Sequence, residues 1–210
     1  MTTDITTPQP SLDTAPRKTG QQKMRGFTLI ELGIVLTIVA ILALFAVPRV
    51  QSYLISGRVQ PTAAEITDAV SQIRNLGASN GGAGQPYVGM TTLNLATALR
   101  DRANVLIPTV NGANNSTVQH RLGTAGANVE FAVASNPTAG DSFTLTFNTV
   151  NGAACADLAA ALQVQARTVT IAPGANAAVS VRAAGGAYNS QLAQTTCTAG
   201  DTNTLAFTFQ

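Results

Sequence analysis

From Phe27 to Val47 the chain reads FTLIELGIVLTIVAILALFAV, apolar on every side, with Thr28, Glu31 and Thr37 as its only polar side chains. A helix of this length rises about 31 Å, close to the hydrocarbon thickness of a bilayer. Beyond it the pattern narrows to a stripe. Val50, Tyr53, Leu54, Val59, Ala63, Ile66, Val70, Ile73 and Leu76 mostly recur at three- and four-residue spacings, while Gln51, Ser52, Arg58, Glu65, Asp68 and Arg74 mostly fall elsewhere. Together they predict one long helix over residues 27–76, about 75 Å at 1.5 Å per residue. Its first half is apolar all round and its second half has one face to bury. Asn75 and Gly77 supply stop signals before the Gly-rich stretch Asn80–Gln85. Pro48 and Pro61 interrupt the pattern, so kinks are expected near both.

After residue 80 the period changes. Thr92–Ala103 reads as a short helix, Val105–Pro108 as an extended piece, and Asn111–Thr117 as a loop of turn formers. Asn128–Ala134 alternates, with Val129, Phe131 and Val133 on one face; Asp141–Val150 alternates with Phe143, Leu145 and Phe147 aligned. A β-hairpin through Pro137–Asp141 joins them. Ala153–Ala166 returns to helical spacing, Arg167–Ala172 and Ala178–Ala183 are short strand candidates, and Thr202–Gln210 is a final alternating strand carrying Leu205, Phe207 and Phe209 on one face. The predicted fold class is α+β: one long N-terminal helix packed on an antiparallel sheet with a smaller helix.

Charge divides the chain in the same place as hydropathy. Residues 1–26 carry Arg17, Lys18, Lys23 and Arg25 against Asp4 and Asp13, whereas residues 27–210 carry eight Arg and eight acidic residues. A total of +2 is too weak to point to nucleic acid as a specific partner. Basic residues ahead of the apolar run hold its N-terminal side in the cytoplasm and put the bulk of the chain outside the inner membrane. Cys155 and Cys197 lie 42 positions apart and His120 is the only histidine, so the sequence offers no metal cluster. In an exported domain the two cysteines read as one disulfide; in a cytosolic one, as two buried thiols.

An ordinary secretory signal is cut after its apolar region, and a plain anchor has no use for a carboxylate inside it. Here Glu31 stands four residues past Phe27. The string Arg25-Gly26-Phe27-Thr28-Leu29-Ile30-Glu31-Leu32 resembles the class III signal of type IV pilins and pseudopilins. The resemblance implies that a prepilin peptidase cuts after Gly26, that Phe27 becomes the N-methylated first residue, and that Glu31 is the assembly carboxylate that pairs with the N-terminal amine of a neighbouring subunit. It also implies some unwinding between Gly33 and Pro48 in the filament. The series Phe143–Phe147, Val150–Cys155, Cys197–Asp201 and Asn203–Phe207 resembles the type IVb pilins of the conjugative thin-pilus group, in which the two cysteines are bonded and hold the last strand onto the sheet. The long leader agrees with that group; Phe27 is more usual among type IVa pilins.

The organisation expected is a cleaved leader over 1–26, an N-terminal helical segment over 27–79 (27–47 membrane or filament core, 48–79 amphipathic) and a globular head over 80–210 with a disulfide-closed C-terminal region. The partners expected are other pilin subunits, the prepilin peptidase, an inner-membrane assembly platform, and the membrane before assembly. No cofactor and no enzymatic activity are expected. His120 reads as a surface histidine, Gly81–Gly84 as a linker without the lysine of a phosphate loop, Asn115-Ser116-Thr117 as a weak glycosylation pattern, and Arg100, Asp101 and Arg102 as a solvated helix face. Competing readings are a minor pilin, a type II secretion pseudopilin, which usually carries a calcium site in place of the disulfide, and a membrane-anchored binding domain or enzyme.

Overall fold

A computed structural model describes residues 26–80, 84–124 and 126–210; the leader expectation, apart from Gly26, and residues 81–83 of the Gly-rich stretch lie outside the described residues. The chain divides into two compact units between Ala43 and Leu44. The first unit, as described, is the start of helix α1 (Leu29–Gly57), and every one of its described side chains is exposed. A helix that is apolar all round has no face to bury in a small soluble head, so its solvent is a membrane or other helices of its kind.

In the second unit α1 continues unbroken through Pro48 and ends at Gly57; Arg58 stands outside, and α2 runs Val59–Ser79. The interruption therefore falls just ahead of Pro61, which sits in the first turn of α2, where an N–H has no intrahelical acceptor to lose. Gly77 does not stop the helix. It lies inside α2 because a Cβ there would come within 2.7 Å of the Tyr87 ring. The stop is Asn80, whose N–H bonds back to the Leu76 and Gly77 carbonyls.

The buried stripe of α2 is Val59, Thr62, Ala63, Ile66, Ala69, Val70 and Ile73, the helical spacing expected, while Val50, Tyr53 and Leu54 of α1 stay exposed. The stripe joins one core with a seven-stranded sheet of order β1-β2-β3-β4-β7-β5-β6, antiparallel at every pairing. The strands are β1 (Ile107–Thr109), β2 (Thr117–Gln119), β3 (Asn128–Ser135), β4 (Ala139–Val150), β5 (Thr168–Pro173), β6 (Val179–Arg182) and β7 (Asn203–Phe209). The expected hairpin is β3–β4. The C-terminal strand β7 is inserted between β4 and β5, so that Phe143 pairs with Phe209, Leu145 with Phe207, and Phe147 with Leu205. These inward rows are fully buried, and each Phe or Leu side chain contributes about 1.5–3 kcal/mol by leaving water.

Four short helices complete the head: α3 (Thr92–Leu99), α4 (Gly112–Asn115), α5 (Gly152–Leu162) and α6 (Ser190–Thr196). Helix α3 ends four residues earlier than its pattern predicts, and residues 100–102 turn outward, exposed. What holds the chain after that turn is Glu65 of α2. Its Oε1 accepts the N–H of Asn104 (2.6 Å) and Val105 (2.9 Å), and its Oε2 accepts that of Leu106 (2.9 Å). Charged acceptors make strong hydrogen bonds, so Glu65→Ala is expected to cost about 2–4 kcal/mol, read as a lower urea midpoint at unchanged m-value.

Candidate functional site

The residues singled out by sequence fall in three places. The first is the start of α1. Gly26, Phe27 and Thr28 precede the helix without regular secondary structure, Phe27 is 84% exposed, and among the described residues a Cβ built on Gly26 meets nothing within 4 Å. Thr28 caps α1: its Oγ1 accepts the Glu31 N–H at 3.2 Å, and its carbonyl accepts the Leu32 N–H. The Thr-x-x-Glu spacing is a helix-start signature that the sequence carried and that hydropathy alone passed over. Farther along, the Thr37 hydroxyl donates to the Gly33 carbonyl at 2.8 Å. Two of the three polar side chains in the apolar run are thus satisfied within the helix. The third is not: among the described residues the Glu31 carboxylate has no hydrogen bond or ion pair. An 18-residue window of this helix has a mean hydropathy of 2.7, so its natural surroundings are apolar and an unpaired carboxylate there is costly.

The second place is the C-terminal region. Cys155 and Cys197 are joined, with Cα atoms 5.9 Å apart, tying α5 to the end of α6. Around that bond the chain is knitted by side-chain amides. Asn151 caps α5 by accepting the Ala153 N–H and donates to Asp201 at 2.6 Å; Gly152 N–H bonds to the Gly200 carbonyl. A side chain on Gly152 would run into the Thr198 carbonyl, which explains the glycine at that close approach. Asn203, fully buried, donates to the carbonyls of Val150 (3.1 Å) and Thr198 (2.8 Å) and accepts the Thr198 N–H (2.9 Å). The segment that leads into the central strand β7 is therefore held by a covalent bond and a satisfied polar network.

The third place is His120, and here the sequence expectation is corrected: it is buried, not a surface residue. It follows β2 with its ring 5.7 Å from that of Phe147. Its Nε2 lies 2.9 Å from the Asn148 carbonyl and its Nδ1 accepts the Leu122 N–H at 3.2 Å, which assigns the proton of the neutral ring to Nε2. Burial pushes the imidazole pKa down, partly offset by the Asn148 carbonyl. A base with a lowered folded pKa is protonated more readily when unfolded. Its contribution to stability is therefore complete above the ordinary histidine value of about 6.5 and is lost as pH falls below it. Urea unfolding from pH 7.5 to 5 is expected to show a slope of up to about 1.4 kcal/mol per pH unit that is absent from His120→Gln. With both ring nitrogens engaged by backbone groups, this histidine fastens the 120–122 turn to β4.

Arg100, Asp101 and Arg102 are exposed as expected. Among the described residues no group of three His, Cys, Asp or Glu side chains is placed to hold a metal ion.

Comparison with known proteins supplies two family matches. Residues 57–210 match the family model described as PilS N terminal, and residues 21–47 match that of the prokaryotic N-terminal methylation motif. Among solved structures, the type IVb pilin from Salmonella typhi is similar at 18% identity, with 70% of this chain and 95% of that chain covered and a TM-score of 0.46. TcpA, a type IV pilin from the Vibrio cholerae El Tor biotype, is similar at 16% identity, with 76% and 99% covered and a TM-score of 0.44. No curated protein matches the chain.

Proposed function

The chain belongs to the PilS family and is a type IV pilin subunit with a prepilin-type signal, and from that premise we propose that it is cut after Gly26, N-methylated on Phe27 and polymerised through Glu31 as the major subunit of a type IVb-like surface pilus. The signal and its apolar helix imply insertion in the membrane first and an extracellular pilus afterwards. The reading divides the chain into a leader over 1–26, a helical segment over 27–79 that packs in the filament core, and a head over 80–210 that forms its surface.

The observation that carries the reading is the solitary carboxylate. Glu31 lies four residues past Phe27 in the apolar run 27–47, whose other side chains are apolar apart from the hydrogen-bonded hydroxyls of Thr28 and Thr37. A buried carboxylate and a buried ammonium are each costly alone and much cheaper together, and a new N-terminus at Phe27 creates that ammonium on every copy. Pairing between neighbours fixes the axial register, the use for which buried polar pairs are best attested. The partners are therefore other copies of the chain, a prepilin peptidase and an inner-membrane assembly platform. The sparse charge and small residues of the head suit a repeated coat, which supports a major rather than a minor subunit. Adhesion, aggregation and conjugation are the roles such a pilus serves.

Processing is tested at Gly26. A Cβ there meets nothing within 4 Å among the described residues, so a defect is expected to report on the peptidase. Gly26→Glu is expected to leave an unprocessed, membrane-held precursor, and Gly26→Ala to be cut more slowly but to be cut; an immunoblot separates precursor from mature chain by the 26-residue leader. Full maturation of Gly26→Glu would contradict the site.

A further inference from the structure

An asparagine followed by glycine leaves its side-chain amide open to attack by the next backbone nitrogen, because glycine has no Cβ to crowd the approach. Two Asn-Gly pairs lie whole within the described residues, Asn111-Gly112 and Asn151-Gly152; in a third, Asn80-Gly81, the glycine lies outside them. The fold treats the two pairs oppositely.

Asn151 is locked. Its Oδ1 accepts the Ala153 N–H and its Nδ2 donates to Asp201 at 2.6 Å, while the nitrogen that would attack it, that of Gly152, donates to the Gly200 carbonyl at 2.9 Å. Gly152 opens α5, whose buried Ala154, Cys155 and Leu158 and whose disulfide must give way before that backbone can turn. A carboxylate at 151 would also face that of Asp201, a like charge at close range. Asn111 is open. Both Asn111 and Gly112 are exposed, and among the described residues neither the Asn111 side-chain amide nor the Gly112 N–H, at the start of α4, has a hydrogen-bond partner. Helix α4 is a single turn of four residues with none buried. It is tied at Ser116, whose Oγ accepts the Asn111 N–H at 3.0 Å and donates to the Gly112 carbonyl at 2.7 Å. A turn held so lightly opens at little cost.

We propose that Asn111 is a modification site at which the folded head deamidates itself. The Gly112 nitrogen attacks Asn111 Cγ, the Cγ–Nδ2 bond breaks, and the Gly112 amide hydrogen leaves with Nδ2 as ammonia, so that a cyclic succinimide remains. Water then opens either ring C–N bond. One opening gives aspartate; the other gives isoaspartate, with the backbone rerouted through the former side chain. Water is the only co-reactant. Each event adds one negative charge to residues 27–210, in which eight Arg otherwise balance eight acidic residues. Isoaspartate also lengthens the segment that the Ser116 hydroxyl closes. On the filament reading the new charge recurs along every aged filament; the chemistry itself needs only the folded head.

The test follows residues 111 and 151 in the full chain extracted from the membrane, incubated folded at neutral pH and, in parallel, in urea. Samples are reduced, cut after arginine and read by fragment mass spectrometry; the peptide of residues 103–121 carries Asn111 and that of residues 122–167 carries Asn151. In the folded chain residue 111 is expected to turn from amide to acid, as two products of equal mass, at least about tenfold faster than residue 151. In urea the two are expected to convert at similar rates, which assigns the difference to the fold. Gly112→Ala is expected to slow conversion at 111 and leave 151 unchanged. Because Gly112 has a positive φ of 73°, Asn111→Gln serves as the second variant, and it too is expected to stop conversion at 111. Asn111 remaining an amide in the folded chain, conversion at Asn114 or Asn115 in its place, or equal rates at 111 and 151 in the folded chain would each overturn the proposal. None of these outcomes touches the pilin reading, which fails separately if no filament is sheared from cells.

Discussion

Glu31→Val is expected to yield a chain that is inserted, cut and methylated normally but is absent from sheared filaments. The valine improves the membrane helix, and the Thr28 cap that starts α1 uses the backbone N–H of residue 31, not its side chain. What is lost is the partner of a neighbour's N-terminal ammonium. Leaving one member of a buried ion pair uncompensated costs about 3–5 kcal/mol, which weakens each subunit addition by at least about a hundredfold. Because the same contact repeats at every subunit, the effect on a polymer is close to all or none. The comparison is mature chain in the membrane against mature chain in the sheared fraction. Normal piliation by Glu31→Val would remove the register argument.

Replacing both Cys155 and Cys197 by serine is expected to lower the stability of the head by roughly 4 kcal/mol, the loop-closure value for a sequence separation of 42. For a domain of this size that corresponds to a fall in Tm of about 8–16 °C. The bond matters because of where the last strand sits. Strand β7 is placed between β4 and β5, and Phe207 and Phe209 complete the aromatic rows of the core. Only a short segment separates Cys197 from Asn203, so the disulfide anchors the entry to that strand. Asn203 and Asn151 keep part of the anchorage through their amide bonds, which predicts a weakened fold and not an unfolded one. A loss below about 1 kcal/mol would show that those bonds suffice.

Long, strongly periodic segments were legible in the sequence. The strands over 128–135, 139–150 and 203–209 follow from alternating Val, Phe and Leu, and the buried stripe of α2 follows from three- and four-residue spacing. Elements of few residues were legible only in part: β5 and β6 fall on the strand candidates Arg167–Ala172 and Ala178–Ala183, and β1 overlaps the extended piece Val105–Pro108, but β2 and α6 carry no such signal. Strands β1 and β2 have three residues each, too few to show a period, and Ser190–Thr196 of α6 is mostly polar. His120 was misread although the signal existed: Val118, His120 and Leu122 alternate, and all three are buried. A polar residue in an inward position reads as surface because one of its two backbone partners, the Asn148 carbonyl, lies 28 residues away on β4. The role of Glu65 had no local signal at all, since the amides that it binds are 39 to 41 residues away. At the start of α1 the apolar run and its single carboxylate were plain. The capping hydroxyls that leave Glu31 as the one unmatched group required the structure.

The central claim is that this chain is matured at Gly26 and assembled outside the cell, and intact mass with N-terminal sequencing of protein sheared from the cell surface tests it most directly. The account predicts a chain that begins at N-methylated Phe27 and is two hydrogens lighter than its thiol form, as a Cys155–Cys197 bond requires. A chain found only in the inner membrane, with Met1 and its basic leader intact, would contradict it.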